Sequence, residues 1–392
     1  MSHSRSHSQK TMSLAPLARI SVYFAAASLL MSLAACGGGG DGGNSVGSPA
    51  PAPAAPVPPS PASQVAVVPA SGTLRTAAAV PSYAASSQQV GFFNALNAVR
   101  AAAGAGYVDQ STKIDVASQA HADYLTANPA EGHVEDPAKP RFYADTVAAR
   151  LTKAGYSFGL ATEVIGGTGA SLSASDCVLG LMDTVYHAAA LLSEETGFGV
   201  GIGSDAAGVP LCVSDLAAAS TDTYGQVPSA GALIAYPYDG QTDVLDAFCV
   251  SCELPRPSPA LFPDPAPVTY TDLGGVLHTY QPSAEVGTPI IVRLRNADFV
   301  NAQAAGTLAA TVTQFSLTDA GGNTVPAAIL AATDVTGSGV TLNSDSNLGD
   351  GFVVLVPLSP LSVSTTYTAH FSATLTAGGA ALAKTWSFTT GS

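Results

Sequence analysis

Apolar positions recur every three or four residues over much of the first half of the chain, which is the period of a helix with one buried face. This spacing predicts four helices: one through Phe92 and Val99 that stops at Gly104, one capped by Ser111, one over about 144–154, and one over about 173–192. Two strands, 198–202 and 209–213, then flank the turn 205–208. Helices around a small antiparallel hairpin predict an α+β unit.

From about residue 234 the pattern changes to the two-residue alternation of half-buried strands. Gly-rich stretches at 319–322 and 377–379 predict hairpin turns. Residues 236–242 read as the first strand and turn. The further predicted strands are 290–295, 311–317, 352–356, 367–373 and 384–388. Several short strands at this spacing predict an all-β sandwich, and the stretches 360–367 and 386–390 resemble bacterial Ig-like domains of surface proteins.

The first 35 residues have the pattern of a secretion signal. Arg5, Lys10 and Arg19 precede an apolar run over 20–35, which is too short and too rich in Ala and Ser for a permanent membrane span. The run ends in Leu-Ala-Ala-Cys36 followed by four glycines, which resembles a lipobox. We therefore expect a lipoprotein signal peptide over 1–35 and lipidation of Cys36; an ordinary signal peptide that happens to precede a cysteine is the alternative.

Composition divides the rest of the chain. Residues 36–82 are rich in Gly, Pro, Ala and Ser and cannot bury enough apolar surface to offset the entropy of ordering, so they predict a disordered tether. We place the α+β unit at 83–227 and the β-sandwich, with its Pro-rich connector, at 228–392. The expected location is extracytoplasmic, with the chain anchored by lipid to the cell envelope, on its periplasmic side or at the cell surface.

The net charge limits the expected binding partners, and the cysteine content limits the possible disulfide pairings. The net charge is −14, and loss of the three basic residues of the signal would bring it to −17. An acidic surface repels phosphate backbones, so we expect no nucleic-acid partner, and membrane attachment through the lipid anchor alone. The four cysteines after Cys36 allow three pairings. We favour Cys177–Cys212 and Cys249–Cys252, because each pair stays within one segment.

Seven short motifs appear in a fixed order between residues 90 and 216. They are Asn97-Ala-Val-Arg100, Ala120-His121-Ala122, Gly132-His133-Val134-Glu135, Arg150 with Gly155-Tyr156, Glu163-Val164-Ile165, His187 through Leu192, and Gly199-Val-Gly201. Together they resemble the CAP (SCP-like) domain of the cysteine-rich secretory, antigen 5 and pathogenesis-related family. The resemblance implies a CAP-type α-β-α sandwich. Val164 and Leu181 stand where the family usually has Asn and Trp.

The resemblance also implies a cleft that gathers His133, Glu135, Glu163 and His187. Such a set could be a buried polar network, a ligand site or a catalytic centre; as a metal site it would use His133, His187 and Glu163 to hold a divalent cation such as zinc. His121 lies on an apolar helix face and is expected to be a core histidine. The sequence contains no G-x-S-x-G, H-E-x-x-H or P-loop motif.

The expected function is therefore that of an envelope or surface binding module for a small lipid, a peptide, a metal or an envelope protein, with no enzymatic role assigned. A hydrolase that uses the His/Glu cleft and a purely structural envelope lipoprotein are the alternatives.

Overall fold

A computed structural model describes residues 68–129, 131–167, 173–204, 210–376, 379 and 381–392. The predicted signal, the lipidation site Cys36, most of the predicted tether, the turn 205–208 and part of the turn 377–379 lie outside these residues. Among the residues described, no helix is long and apolar enough to cross a membrane.

In the described part of the first unit there are five helices and four strands, which confirms the α+β prediction. The helices are α1 (Gln88–Ala103), α2 (Thr112–Ala127), α3 (Val147–Lys153), α4 (Ala174–Met182) and α5 (Val185–Leu191). The strands are β1 (Asp109–Gln110), β2 (Phe158–Gly167), β3 (Gly197–Ser204) and β4 (Pro210–Ala219). They form one sheet in the order β1-β3-β4-β2, in which β4 pairs antiparallel with both β2 and β3.

Alternate glycines in β3 let helix α2 approach the sheet very closely. A Cβ atom on Gly199 would lie 2.4 Å from the backbone of Asp115, and one on Gly201 would lie 2.2 Å from the carbonyl oxygen of Ser118. The Gly-Val-Gly motif is therefore a packing requirement, because any side chain at these positions would push α2 away from the sheet.

Among the described residues, the second unit consists of two five-stranded sheets, two two-stranded sheets and one more helix. The C-terminal region is therefore mainly β. The strands are β5 (Ile234–Tyr236), β6 (Gln241–Val244), β7 (Phe248–Cys249), β8 (Val268–Thr271), β9 (Leu277–Tyr280), β10 (Glu285–Val286), β11 (Ile290–Arg293), β12 (Ala310–Thr318), β13 (Ala327–Ala331), β14 (Val335–Gly337), β15 (Asn343–Ser344), β16 (Phe352–Pro357), β17 (Thr366–Leu375) and β18 (Ala381–Thr390), with α6 at Ala297–Ala304. The five-stranded sheets have the orders β15-β13-β16-β11-β5 and β14-β12-β17-β18-β6, and the two-stranded sheets pair β7 with β10 and β8 with β9.

Apolar side chains from both five-stranded sheets belong to one continuous core that also includes α1, α4 and α5 of the first unit. The two units are therefore packed together through a shared hydrophobic core. The Ig-like identity of the second unit stays a prediction.

Three differences from the sequence expectations concern the borders of elements. The single helix expected over 173–192 is two helices, because Thr184 is extended and ends α4 before α5 begins. Strand β2 was not predicted. The tether was expected to extend to residue 82, but the chain already packs at Val68, whose amide donates to the Asn301 side chain at 2.8 Å.

Both predicted cysteine pairs are confirmed. The Cα atoms of Cys177 and Cys212 lie 6.8 Å apart, and those of Cys249 and Cys252 lie 5.2 Å apart. The first pair joins α4 to β4 inside the first unit, and the second closes a short loop of the second unit.

Charged side chains add to the contact between the two units. Glu194, in the loop after α5, forms an ion pair with Arg293 of β11 and lies 3.6 Å from Arg295. Burial disfavours the ionised form of Glu194, but the two guanidinium groups outweigh burial and lower its pKa to about 2.

This pair predicts a loss of stability in acid. Because the folded-state pKa of Glu194 lies below its ordinary value of 4.5, the stabilisation is complete above that pH and disappears as the pH falls towards 2. Glu194→Gln lacks the titrating group, so its melting temperature should fall less than that of the wild type between pH 6 and pH 3. Calorimetry over this range checks the prediction, and parallel curves for the two proteins would contradict it.

Candidate functional site

The candidate site lies between helix α2, helix α3 and strands β2 and β4. Glu163 of β2 and Asp215 of β4 are directly opposite each other in the antiparallel register, so both side chains project from the same face of the sheet. His121 lies on the buried face of α2, and Arg150 is a fully buried residue of α3. The irregular segment between α2 and α3 supplies two further predicted residues, His133 and Glu135.

Glu163 is the centre of the network. Its Oε1 atom lies 2.8 Å from His133 Nδ1 and 3.7 Å from His121 Nε2, and its Oε2 atom accepts a hydrogen bond from Arg150 at 2.6 Å. Burial disfavours its charge, but His121, Arg150 and His133 outweigh burial and hold the pKa of Glu163 far below its ordinary value. Glu163 is therefore a buried, ionised carboxylate.

Glu135 forms the second half of the network. Its Oε1 atom accepts a hydrogen bond from His121 Nδ1 at 2.9 Å, and its Oε2 atom accepts bonds from the backbone amides of Tyr143 and Ala144 at 2.6 and 3.2 Å. Arg150 lies 3.7 Å from the same carboxylate and also donates to the carbonyl oxygen of His133. One guanidinium thus contacts both acids and the loop that carries Glu135.

Asp215 is a further buried acid beside the network. Its Oδ2 atom accepts a hydrogen bond from the Ser118 hydroxyl at 2.8 Å. Burial and the neighbouring Glu163 charge both raise its pKa well above the ordinary range. The pKa of Glu163 is lowered and that of the adjacent Asp215 is raised. Neighbouring acids with opposite pKa shifts are typical of acid–base pairs, in which one group holds the proton and the other carries the charge.

The contacts of His187 differ from those of the other predicted residues. Its Nδ1 atom lies 2.9 Å from the Thr184 hydroxyl and 3.5 Å from Glu253 Oε1, which belongs to the second unit. The structure places His133, Glu135 and Glu163 in one network, with His121 and Arg150 between them. His121 is indeed a core histidine, but its partner is the carboxylate of Glu135, so it belongs to the site.

The predicted zinc ligands do not form a ready metal site in this arrangement. Glu163 is already bound by Arg150 and His133, and His187 contacts Glu253. Among the described parts of the chain, no three His, Cys, Asp or Glu side chains are placed to hold a metal ion. A guanidinium between the two acids also disfavours a nearby dication, because like charges repel. Zinc binding stays a prediction for titration to decide.

Sequence reasoning missed four contributors: the roles of Arg150, Asp215 and Ser118 in the network, and the contact of Glu253 with His187. Ser118 precedes His121 by three residues, which places both on one helix face, so this periodicity was a usable signal. Glu253 gives no such signal, because it reaches His187 from a residue 66 positions later, on another unit.

One comparison with known proteins, the scan against family models, agrees with the motif order. The model of the cysteine-rich secretory protein family, CAP, matches residues 93–215. A search of curated proteins finds no match. Among solved structures, an outer surface protein from Borrelia burgdorferi is 14% identical with a TM-score of 0.28, and the match covers 33% of this chain and 90% of that one.

An extracellular protein containing an SCP domain from Bacillus anthracis str. Ames is 19% identical, also with a TM-score of 0.28; that match covers 33% of this chain and 40% of the other. Residues 93–215, which carry the His121–Glu135–Arg150–Glu163 network, match the model of the cysteine-rich secretory protein (CAP) family.

Proposed function

We propose that this chain is an exported, lipid-anchored CAP-domain protein that works as a binding module in the cell envelope, and that its ligand contacts the network at His133. The observation that carries the proposal is a cluster of two acids, one guanidinium and two imidazoles, in which every side chain except that of His133 is at most 2% exposed. Replacing such a network by apolar residues is often neutral or stabilising, so its presence is better explained by a task than by stability.

Two features support a ligand site. His121 Nε2 and Arg150 Nε are buried and have no hydrogen-bond partner among the residues described, which leaves polar capacity that a small polar group could use. His133, whose side chain is 9% exposed, is the most accessible member of the network. Val134 and Phe142, on the same segment, are exposed apolar residues. A polar head beside an apolar surface suits a small amphiphile such as a lipid, or a peptide.

The lipobox-like motif that ends in Cys36 supports export and anchoring, because small residues before a cysteine suit a peptidase that cuts ahead of a lipid-modified thiol. The glycine run that follows Cys36 suits a tether between the lipid and the folded part. The finding of lipid on Cys36 by mass spectrometry of the membrane fraction would support the anchor. An unmodified or absent Cys36 would contradict it.

Ligand binding is tested with two probes, zinc chloride and a short-chain phosphatidylcholine, by calorimetry and thermal shift. We expect at least one probe to bind the wild type and to bind His133→Ala at least tenfold more weakly. His370→Ala is the matched control, because this histidine lies on β17 of the second unit, where its ring contacts the Thr385 hydroxyl. Binding that is equal in all three proteins would contradict the proposal. Turnover of p-nitrophenyl acetate that is lost in His133→Ala would favour the hydrolase instead.

A further inference from the structure

The β8–β9 hairpin is the most exposed apolar segment that the structure describes. Its two strands form a two-stranded sheet of their own, and every residue of both strands is exposed. Six of the 15 exposed large hydrophobic residues lie within its 13 positions: Val268, Tyr270, Leu273, Val276, Leu277 and Tyr280. Soluble proteins rarely expose many apolar side chains in one place, so we expect this hairpin to contact a partner.

The apolar residues follow a fixed order along the hairpin. The tip carries three aliphatic side chains, of which Leu273 is fully exposed and Leu277 is 69% exposed. The tyrosines come behind them: Tyr270 stacks on His278 with ring centroids 5.2 Å apart, and Tyr280 packs edge-on against Tyr270. Aliphatic groups at the tip with tyrosines behind match the interface of a bilayer, where tyrosine rings lie at the level of the headgroups.

The charges of the hairpin are satisfied internally. Asp272 accepts hydrogen bonds from the amides of Gly274 and Val276 at 2.9 Å, and it pairs with His278 at 2.8 Å. No lysine or arginine lies between residues 257 and 292. Since anionic lipids are recruited by basic residues, this surface fits a neutral phospholipid and not an anionic one.

The proposed anchor can place the hairpin at a membrane. Val68 follows Cys36 by 32 positions, which span at most about 106–115 Å when fully extended. A folded body of this size has a radius of gyration of about 20 Å, so the tether is long enough for any face to turn towards the bilayer. The tether alone therefore does not decide which face of the protein contacts the bilayer, so the folded surface must decide it. The inference rests on the proposed lipid anchor, which brings that surface to the membrane.

We propose that the tip of the β8–β9 hairpin inserts into the interface of a neutral phospholipid bilayer and so fixes the orientation of the anchored protein. The hairpin becomes a second, weak membrane contact. It acts only when the lipid on Cys36 holds the chain nearby, because a few aliphatic side chains alone give a marginal membrane affinity.

The test supplies the anchor chemically, so that it does not depend on lipidation. A chain that begins at Cys36 is coupled through its thiol to a maleimide phospholipid in phosphatidylcholine vesicles; the other four cysteines are in disulfides. Leu273→Trp adds a reporter at the tip, and Val80→Trp, at a position that is 96% exposed, is the matched control. The native Trp386 is buried and gives a constant background.

Vesicles of brominated phosphatidylcholine should quench the added tryptophan of Leu273→Trp at least twofold and leave that of Val80→Trp unchanged. Leu277→Asp, added to Leu273→Trp, should abolish the quenching. Unquenched Leu273→Trp, or equal quenching at both positions, would overturn the inference. So would a dimer in solution whose formation Leu277→Asp prevents, since the hairpin would then bind a second copy. None of these outcomes concerns lipidation of Cys36, which mass spectrometry tests separately.

Discussion

Arg150→Met is expected to lower the free energy of unfolding by about 3–5 kcal/mol, which is the usual cost of removing one partner from a buried ion pair. The Arg150 side chain is fully buried and donates to Glu163 at 2.6 Å. Methionine has a similar length but no charge, so Glu163 would remain ionised in a buried site without its guanidinium. The loss of the bonds to the His133 carbonyl would also loosen the loop that carries His133 and Glu135.

Urea unfolding of the wild type and three variants measures this effect. Lys153→Met changes an exposed position on the same helix, whose amine contacts the Tyr143 carbonyl oxygen and ring, and should lower the free energy of unfolding by no more than about 1 kcal/mol. Arg150→Met combined with Glu163→Gln should be more stable than Arg150→Met alone, because the unpaired charge has been removed. A loss below about 1 kcal/mol in Arg150→Met, or no recovery in the double variant, would show that the network is not a coupled ion pair.

The fold was predictable to the extent that local pattern decides it. The α+β first unit, the mainly β second region and both disulfides follow from hydrophobic period and cysteine spacing. The pattern failed where local signals are weak. Thr184 lies in an apolar run that reads as one continuous helix, and only its extended backbone divides α4 from α5. Buried and exposed positions do not alternate regularly along strand β2. Two neighbouring residues near its centre, Val164 among them, are both buried, whereas residues near its ends are exposed.

The candidate site was predictable only in part, because motif order names residues but does not give their partners. His133, Glu135 and Glu163 were placed together by family resemblance. His121 was assigned to the core because its helix face is apolar, yet that face lies on the acids of the neighbouring loop and strand. Single-sequence reasoning also assigned His187 to the same cluster, whereas its acidic neighbour Glu253 belongs to the other unit.

This contact between units gives the second large expected effect. Glu253 is 2% exposed, and its carboxylate accepts hydrogen bonds from the first two amides of α5, at 2.6 Å from Tyr186 and 3.1 Å from Val185. It thus fixes the start of the helix that carries His187. Glu253→Ala would leave both amides buried without these partners, and each such loss costs about 1–3 kcal/mol. We therefore expect Glu253→Ala to lower the free energy of unfolding by about 2–4 kcal/mol.

Glu253→Ala should also separate the two units thermally, because it removes a polar contact between α5 and the second unit while leaving the interior of each unit intact. Calorimetry should show a broadened or split transition where the wild type shows one. Asp264→Ala is the control: it removes an acid of the same Pro-rich segment whose side chain is 45% exposed and paired with Arg256, a surface pair that contributes at most about 1 kcal/mol. Equal losses in the two variants would mean that Glu253 does not join the units.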